Sequence, residues 1–215
     1  MAEHHHHHHL ESSSHGRAFA IGSGLNIAFV LIEAWYGWQT GSLALLADAA
    51  HNLSDVGGLL LAWLATAAAR FRPNATHSYG WQRGSIMASF INAVVLMGAM
   101  GALAWEALQR LTTPTGIEGM TVIVVASVGM VVNAVTAWLF MHGSEHDLNI
   151  RGAFLHMAAD ALVSAGVVMA GLLYLWQGWT WLDPVVSLLI ALIILFSTWS
   201  LFRRSLHLMF DGVPE

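Results

Sequence analysis

The sequence predicts an all-α, polytopic membrane protein with six transmembrane helices. Apolar residues make up 56% of its 215 residues and charged residues only 10%, against roughly a quarter charged in globular proteins. Six apolar segments are each long enough to cross the hydrocarbon core, which takes about 20 helical residues. The connections between them are short, so we expect no second folded domain.

The first three helices are expected at residues 18–38, 43–69 and 82–111. Each is a mostly apolar run that stops where glycine, proline and small polar residues cluster, and such clusters interrupt helices. The interrupting sequences are Gln39-Thr40-Gly41-Ser42, Arg72-Pro73-Asn74 and Thr113-Pro114-Thr115-Gly116.

The last three helices are expected at residues 118–141, 151–176 and 184–208. The same kind of interruption separates them from one another and from what precedes them. The interrupting sequences are His142-Gly143-Ser144-Glu145, Gln177-Gly178 and Asp183-Pro184.

Residues 1–14 contain six consecutive histidines and are predicted to be an expression tag, which leaves 15–215 as one transmembrane domain. The chain has no cysteine, so any metal ion must be held by nitrogen and oxygen ligands. The formal net charge of −5 includes Glu3 and Glu11 of the tag. It indicates no nucleic acid or other polyanionic partner.

The arginines predict the orientation in the lipid bilayer. All but one fall on the same side of a six-span arrangement, and arginine is enriched on the cytoplasmic side of membrane proteins. Both termini are therefore expected in the cytoplasm. Tryptophans near the loops of the opposite side fit an interfacial aromatic belt. The arginines are Arg17, Arg70, Arg72, Arg83, Arg151, Arg203 and Arg204, with Arg110 opposite, and the tryptophans are Trp35, Trp38, Trp179 and Trp181.

Two apolar segments repeat the pattern His-x-x-x-Asp. His51 and Asp55 lie in the second segment, and His156 and Asp160 lie in the fifth. Residues four apart share a helix face, so each pair offers an imidazole nitrogen and a carboxylate oxygen to one point. Two such helices facing each other would supply a complete tetrahedral shell for a divalent ion such as zinc.

The alternative is that each pair only hydrogen-bonds a neighbouring helix. The identical spacing in two helices favours the metal site, and so does the charge, because two carboxylates and two neutral imidazoles leave a bound dication with no net charge. Asp48, three residues before His51, falls on nearly the same face. The sequence leaves three roles open for Asp48: outer metal ligand, proton acceptor or helix–helix hydrogen-bond partner.

Other polar groups are weaker candidates. His77 in the first cytoplasmic loop is a candidate accessory ligand, and the loop with His142 and His146 could capture metal weakly or form a simple polar turn. One or two further groups at apparent membrane depth are expected to contribute to an ion path. These groups are Asn26, Glu33, Glu106 and Asn133.

The run from Asn26 to Glu33, followed by the run from Gly41 to Asp55, resembles the first two helices of the cation diffusion facilitator family. The resemblance covers nearly the whole chain after the tag. It continues through His77-Ser78-Tyr79-Gly80, similar to the family's His-x-Tyr-Gly loop, through the run from Asn149 to His156 at the start of helix five, and through Asp183-Pro184 at the start of helix six.

The resemblance implies a homodimeric, proton-coupled exporter of zinc and related divalent ions in a bacterial inner membrane. By the same resemblance, His51, Asp55, His156 and Asp160 are the ligands of the transported ion. A histidine at position 51 is similar to zinc-type members, so Zn²⁺ is the expected substrate. Cadmium, cobalt, nickel and iron(II) are further candidates that ligand type alone does not separate.

The chain departs from the family pattern in its loop and at its end. Trp81 stands where members often have a second loop histidine, and Asn74 where some carry an aspartate, so no second, loop-borne metal site is implied. Most members continue into a cytoplasmic metal-binding domain, whereas this chain stops at Glu215. We expect either a naturally short or a truncated member, whose homodimer forms through transmembrane helices.

Metal binding requires neutral imidazoles and ionised aspartates, so protons compete with metal for the same atoms. For the exporter that the resemblance implies, this competition gives proton-coupled antiport a physical basis, in a cycle of alternating access around a site near the bilayer midplane. Two other functions fit a His/Asp site. An intramembrane metallohydrolase would keep a coordination position open for water, and a metal-gated sensor would bind without transporting.

Overall fold

The computed structural model describes residues 12–68, 84–141 and 148–210. The helices are α1 Ser12–Thr40, α2 Leu43–Ala68, α3 Gly84–Thr112, α4 Gly119–Met141, α5 Leu148–Gln177 and α6 Leu182–Met209. No strand occurs among the described residues. The all-α class and the six-helix membrane fold predicted from the sequence are confirmed.

The helix boundaries lie within a few residues of the predicted ones, except at the start of α1. The described part of this helix starts at Ser12, before the predicted start at residue 18, and it therefore includes the end of the segment assigned to the tag. Backbone hydrogen bonding, not hydropathy, defines where a helix begins. An apolar run therefore underestimates a helix that extends into polar residues.

Four helices within the described residues are long and apolar enough to cross a membrane by length and composition: α3, α4, α5 from Ile150 onward, and α6. The other two, α1 and α2, carry the carboxylates Glu33 and Asp48, which are buried inside the bundle. Large apolar side chains such as Trp105 and Phe196 are exposed on its outside. An apolar exterior with a partly polar interior fits a bilayer as the surrounding solvent.

The helix at the centre of the bundle is α2. It packs against α1, α3, α5 and α6, whereas α4 packs mainly on α5 and α3 mainly on α6. The buried core joins Leu45 of α2 to Met100 of α3, Val122 of α4, Val167 of α5 and Ile190 of α6. Polar side chains on α2 can therefore face several other helices at once.

A carboxylate from α6 caps the first turn of α2. Asp183 Oδ1 accepts a hydrogen bond from Ser42 Oγ at 2.5 Å, and its Oδ2 accepts one from the Leu43 N–H at 2.8 Å. The Ala44 N–H also points to Asp183 Oδ1, at 3.4 Å. The N–H groups of a first helical turn have no partner within the helix and attract negative charge. The sequence predicted only that Asp183 precedes α6, so this cap is a new finding.

An arginine from α3 holds the adjoining turn between α1 and α2. Gly41 reverses the chain there with a φ of 69°, a conformation that glycine adopts without steric cost. Its carbonyl accepts a hydrogen bond from Arg110, whose Nε also donates to Glu106 at 3.0 Å. The one arginine predicted on the opposite side of the membrane is therefore part of the connection at that end of the bundle.

Candidate metal centre

The two His-x-x-x-Asp pairs meet between α2 and α5. His156 Nε2 lies 3.0 Å from Asp55 Oδ2 of the other helix and 3.6 Å from Asp160 Oδ2 of its own. His51 Nε2 lies 3.5 Å from Asp55 Oδ2 and 3.7 Å from Asp160 Oδ1. The two imidazole rings are 5.8 Å apart, nearly perpendicular. Each histidine thus contacts both carboxylates, one on its own helix and one across the interface.

These separations suit a small cation. Zinc binds nitrogen and oxygen at roughly 2.0–2.2 Å, so neighbouring ligand atoms of a tetrahedral shell are about 3.4 Å apart. His51, His156 and Asp160 each offer a ligand atom, and these atoms lie within 4.8 Å of one another. Asp55 Oδ2 is close to both imidazoles. The three grouped atoms could therefore share one divalent ion, and Asp55, which is not among them, lies beside both imidazoles.

Several polar atoms of this centre lack an ordinary hydrogen bond. Asp55 Oδ2, Asp160 Oδ2 and His51 Nδ1 are buried and have no partner of regular geometry among the described residues, although both carboxylate oxygens lie near an imidazole. Buried polar atoms are usually satisfied, and exceptions often mark functional positions. These carboxylate oxygens are therefore candidate cation ligands.

Exposure divides the four side chains into two pairs. The side chains of Asp160 and His51 are 5% and 20% exposed, whereas those of Asp55 and His156 are 38% and 42% exposed. Asp55 lies further along α2 than His51, and His156 precedes Asp160 on α5. Among the described residues, the half of the centre nearer the end of α2 and the start of α5 is therefore the more exposed half.

A cavity of about 190 Å³ adjoins the centre. His51, His156 and Asp160 line its polar side, and Ile190 and Ile194 of α6 line its apolar side. Asp48 also lines it. The cavity therefore brings α6 and a further carboxylate next to the His/Asp pairs.

Asp48 is buried and connects α2 to α5. Its Oδ2 accepts a hydrogen bond from Ser164 Oγ at 2.9 Å, so the role of helix–helix hydrogen-bond partner is observed. The grouped ligand atoms of His51, His156 and Asp160 do not include it. A direct role for Asp48 in metal binding stays a prediction.

Other predicted candidates lie elsewhere. His77, His142 and His146, together with Asn74 and Trp81, are outside the described residues. Asn133 and Glu33 are buried, and Glu106 pairs with Arg110 near the Gly41 turn. Glu33 lies close to Asp48 and within electrostatic reach of Asp160.

Sequence reasoning missed Asn92 of α3. Its amide donates to the Ser54 carbonyl at 3.2 Å and to Ser54 Oγ at 3.0 Å, beside Asp55. A Cβ at Gly58 would lie 3.1 Å from the Asn92 amide nitrogen. The adjacent Gly57 and Gly58 inside a helix were a usable signal, because glycine within a helix often permits a close neighbour.

Comparison with known proteins agrees with this architecture. The family model described as the cation efflux transmembrane domain matches residues 20–210. The chain belongs to the cation efflux family. The cation diffusion facilitator resemblance drawn from the sequence motifs is thereby confirmed, and the match covers all six helices.

Several curated members of the cation efflux family are similar over most of this chain. The zinc transporter ZitB of Escherichia coli (strain K12) is 39% identical over 206 residues, 95% of this chain and 66% of the relative. The "cadmium, cobalt and zinc/H(+)-K(+) antiporter" of Bacillus subtilis (strain 168) is 36% identical, over 87% of this chain and 61% of the relative. The metal cation efflux system protein CzcD of Cupriavidus metallidurans is 35% identical, over 93% of this chain and 63% of the relative. The chain spans just under two thirds of the length of these relatives.

Proposed function

We propose that this chain exports divalent metal ions, zinc foremost, in exchange for protons, and that His51, Asp55, His156 and Asp160 bind the transported ion. The observation that carries the proposal is the meeting of two His-x-x-x-Asp pairs with N···O separations of 3.0–3.7 Å. Those separations bracket the ligand spacing of about 3.4 Å in a tetrahedral zinc shell.

The names of the relatives support transport over catalysis. They describe a zinc transporter, an antiporter and an efflux system protein. An intramembrane metallohydrolase would reserve one coordination position for a nucleophilic water, and four protein ligands fill a tetrahedral shell. A metal-gated sensor would bind zinc equally well, but it would move none across a membrane.

Proton exchange follows from the chemistry of the ligands. An imidazole binds metal only when neutral and a carboxylate binds it best when ionised, so protonation of the centre expels the ion. A centre that binds metal on the side of low proton concentration and meets protons on the other side converts the proton gradient into metal efflux. The name of the Bacillus subtilis relative includes H(+) antiport, in agreement with this coupling.

We further propose an alternating-access cycle in which the unequal exposure of the four side chains sets where the ion enters. With both termini in the cytoplasm of a bacterial inner membrane, α2 finishes and α5 begins on the cytoplasmic side. The more exposed pair, Asp55 and His156, then faces the cytoplasm, and the Asp183 and Arg110 contacts lie at the outer end. We infer that this pair is the first to receive an ion from the cell interior.

The substrate range is expected to be wider than zinc. Imidazole and carboxylate ligands also suit cadmium, cobalt, nickel and iron(II), and affinity order does not by itself set selectivity. The printed names of the relatives include zinc, cadmium and cobalt. Zinc remains the first choice because imidazole nitrogens and carboxylate oxygens at these N···O separations match its usual ligand spacing.

We also propose that two copies associate through their transmembrane helices. Gly98 and Gly101 of α3 are exposed, and a Cβ at either would meet no atom within 4 Å. Packing within one protomer therefore does not require glycine there. Small residues on an outward face allow two membrane helices to approach closely.

Flux into proteoliposomes tests the transport proposal. With an acidic lumen, external Zn²⁺ is expected to accumulate, and an ionophore that collapses the proton gradient should stop this accumulation. A panel of Zn²⁺, Cd²⁺, Co²⁺, Ni²⁺ and Fe²⁺ under the same gradient gives the selectivity. Equal initial rates with and without the gradient would indicate a passive carrier, and binding without flux would indicate a sensor.

A further inference from the structure

Glu33 is a fully buried carboxylate in the membrane-spanning part of α1. Its exposed fraction is 0%, and neither of its carboxylate oxygens has a hydrogen bond of regular geometry to a described residue. Its polar neighbours are Asp48 and Asn52 of α2. A charged carboxylate in such a place, without a cationic partner, is strongly disfavoured.

The neighbouring carboxylate, Asp48, makes a negative charge on Glu33 still less favourable. Asp48 is 1% exposed, and only one of its oxygens, Oδ2, has a regular hydrogen bond, from Ser164. The other titratable groups that act on the two carboxylates are Asp160, a further negative charge, and His51. No arginine is among the described groups that act on either carboxylate.

Two adjacent carboxylates away from water do not both ionise, because each charge opposes the other and neither is solvated. A proton on one of them converts the repulsion into a hydrogen bond. Glu33 is the more isolated of the two, since Asp48 already accepts from Ser164. A neutral Glu33 can donate its O–H to Asp48, which supplies the acceptor.

We propose that Glu33 and Asp48 bind one proton between them, and that a divalent ion entering the adjoining cavity displaces it. Asp48 lines that cavity together with His51, His156 and Asp160, so a dication there acts on the pair directly. The O–H bond of Glu33 breaks, the proton passes by way of Asp48 to water in the cavity, and both carboxylates become ionised beside the added positive charge. One positive charge leaves the pair as two arrive nearby.

This site adds a proton to the exchange that none of the four metal ligands carries. Glu33 is neither adjacent to those ligands in sequence nor among the ion pairs that join them. The displacement step rests on the proposed function, because it needs metal in the cavity. The presence of the proton in the metal-free protein does not depend on the proposed function.

Infrared difference spectroscopy on the purified chain in lipid nanodiscs tests both the presence of the proton and its displacement by metal. A protonated carboxyl group has a C=O stretch that a carboxylate lacks. We expect this band in the metal-free protein at neutral pH, its loss in Glu33→Gln, and its retention in Glu118→Gln, a control at an exposed carboxylate outside the bundle core. Addition of Zn²⁺ should remove the band from the wild-type protein.

Isothermal titration calorimetry independently counts the protons released when zinc binds. Zinc titrations in two buffers with different ionisation enthalpies give the number of protons released per ion bound, and Glu33→Gln should release about one fewer than the wild type. If Glu33→Gln does not fold, Asp48→Asn replaces it. In that variant the Glu33 band should shift in frequency, because its acceptor changes from a carboxylate to an amide.

The infrared and zinc-binding results test the bound proton, its displacement and the metal centre separately. Absence of the band from the metal-free wild type overturns the proposal, and so does a band that appears only when Na⁺ and K⁺ are removed, which would make the pair a monovalent cation site. A band that persists at saturating Zn²⁺ identifies a permanent structural proton and overturns the displacement. Failure of the wild type to bind Zn²⁺ refutes the metal centre, while the band in the metal-free protein still decides whether Glu33 holds a proton.

Discussion

At the scale of single residues, the two aspartates of the metal centre are expected to be indispensable. Asp55→Ala or Asp160→Ala removes one of four ligands from a low-dielectric site, where water compensates poorly. Even loss of a group that only orients a ligand costs about 10–100-fold in metal affinity. We therefore expect zinc affinity to fall by more than about 100-fold and proteoliposome flux to disappear, while the protein still folds.

The matched control for this prediction is Glu118→Ala. Glu118 is an exposed carboxylate whose described side-chain hydrogen bond is to Thr121 in the same helix. Its removal should leave zinc flux unchanged. Near wild-type flux in either aspartate variant would mean that the metal centre is wrongly assigned.

A second prediction at this scale concerns metal preference. His51→Asp replaces an imidazole nitrogen by a carboxylate oxygen, and carboxylates suit harder ions. Flux measured across a metal panel should shift from Zn²⁺ toward Mn²⁺ and Fe²⁺. An unchanged profile would argue that His51 does not touch the transported ion.

The sequence predicted which four side chains would meet, because the spacing of four is a local signal and its repetition pointed to a shared partner. It could not predict the neighbours that come from distant segments. Ser164 reaches Asp48 across 116 residues, and Asp183 reaches Ser42 across 141. Such pairings depend on the packing of whole helices, which hydropathy does not encode.

At the scale of the helix, the cap on α2 leads to a prediction about stability. Asp183→Asn keeps the shape of the side chain, but its amide N–H must face either the Leu43 N–H or the Ala44 N–H. Loss of a capping charge and of a buried hydrogen bond costs about 1–3 kcal/mol. We expect a lower unfolding free energy and faster amide hydrogen exchange in the first turn of α2.

Zinc affinity is the discriminating measurement for that variant. The cap lies at the end of α2 remote from Asp55, so the dissociation constant measured in detergent should remain within about twofold. Glu106→Gln, which alters the Arg110 pair beside the same turn, should change stability much less because that carboxylate is partly exposed. A large loss of zinc affinity in Asp183→Asn would show that the cap also shapes the metal centre.

At the scale of the whole molecule, the outward face of α3 is expected to form the contact between two copies. Single cysteines along residues 86–104 should give disulfide dimers in native membranes at helical spacing, with Gly98 and Gly101 among the reactive positions. The equivalent scan along 186–204 tests α6. Buried positions such as Ala93 and Met100 are internal controls and should not crosslink.

The chain has no cysteine, so every crosslink reports the introduced position. A reactive set without helical periodicity, or no reaction in either scan, would leave a monomeric carrier. The six helices and short connections were predictable because long apolar runs are a strong signal. The helix faces that turn outward could not be predicted, since nearly every residue of such a run is apolar.

The unequal exposure of the four side chains has a kinetic consequence. If the proposed ligands bind the ion, the more exposed His156 and Asp55 are expected to meet it first, with most of its hydration waters attached, and the more buried Asp160 and His51 only after it sheds the rest. We therefore expect capture in two steps, a rapid encounter followed by a slower loss of the last waters. Substitutions at the outer pair should chiefly alter how often an ion is caught, and substitutions at the inner pair how long it stays.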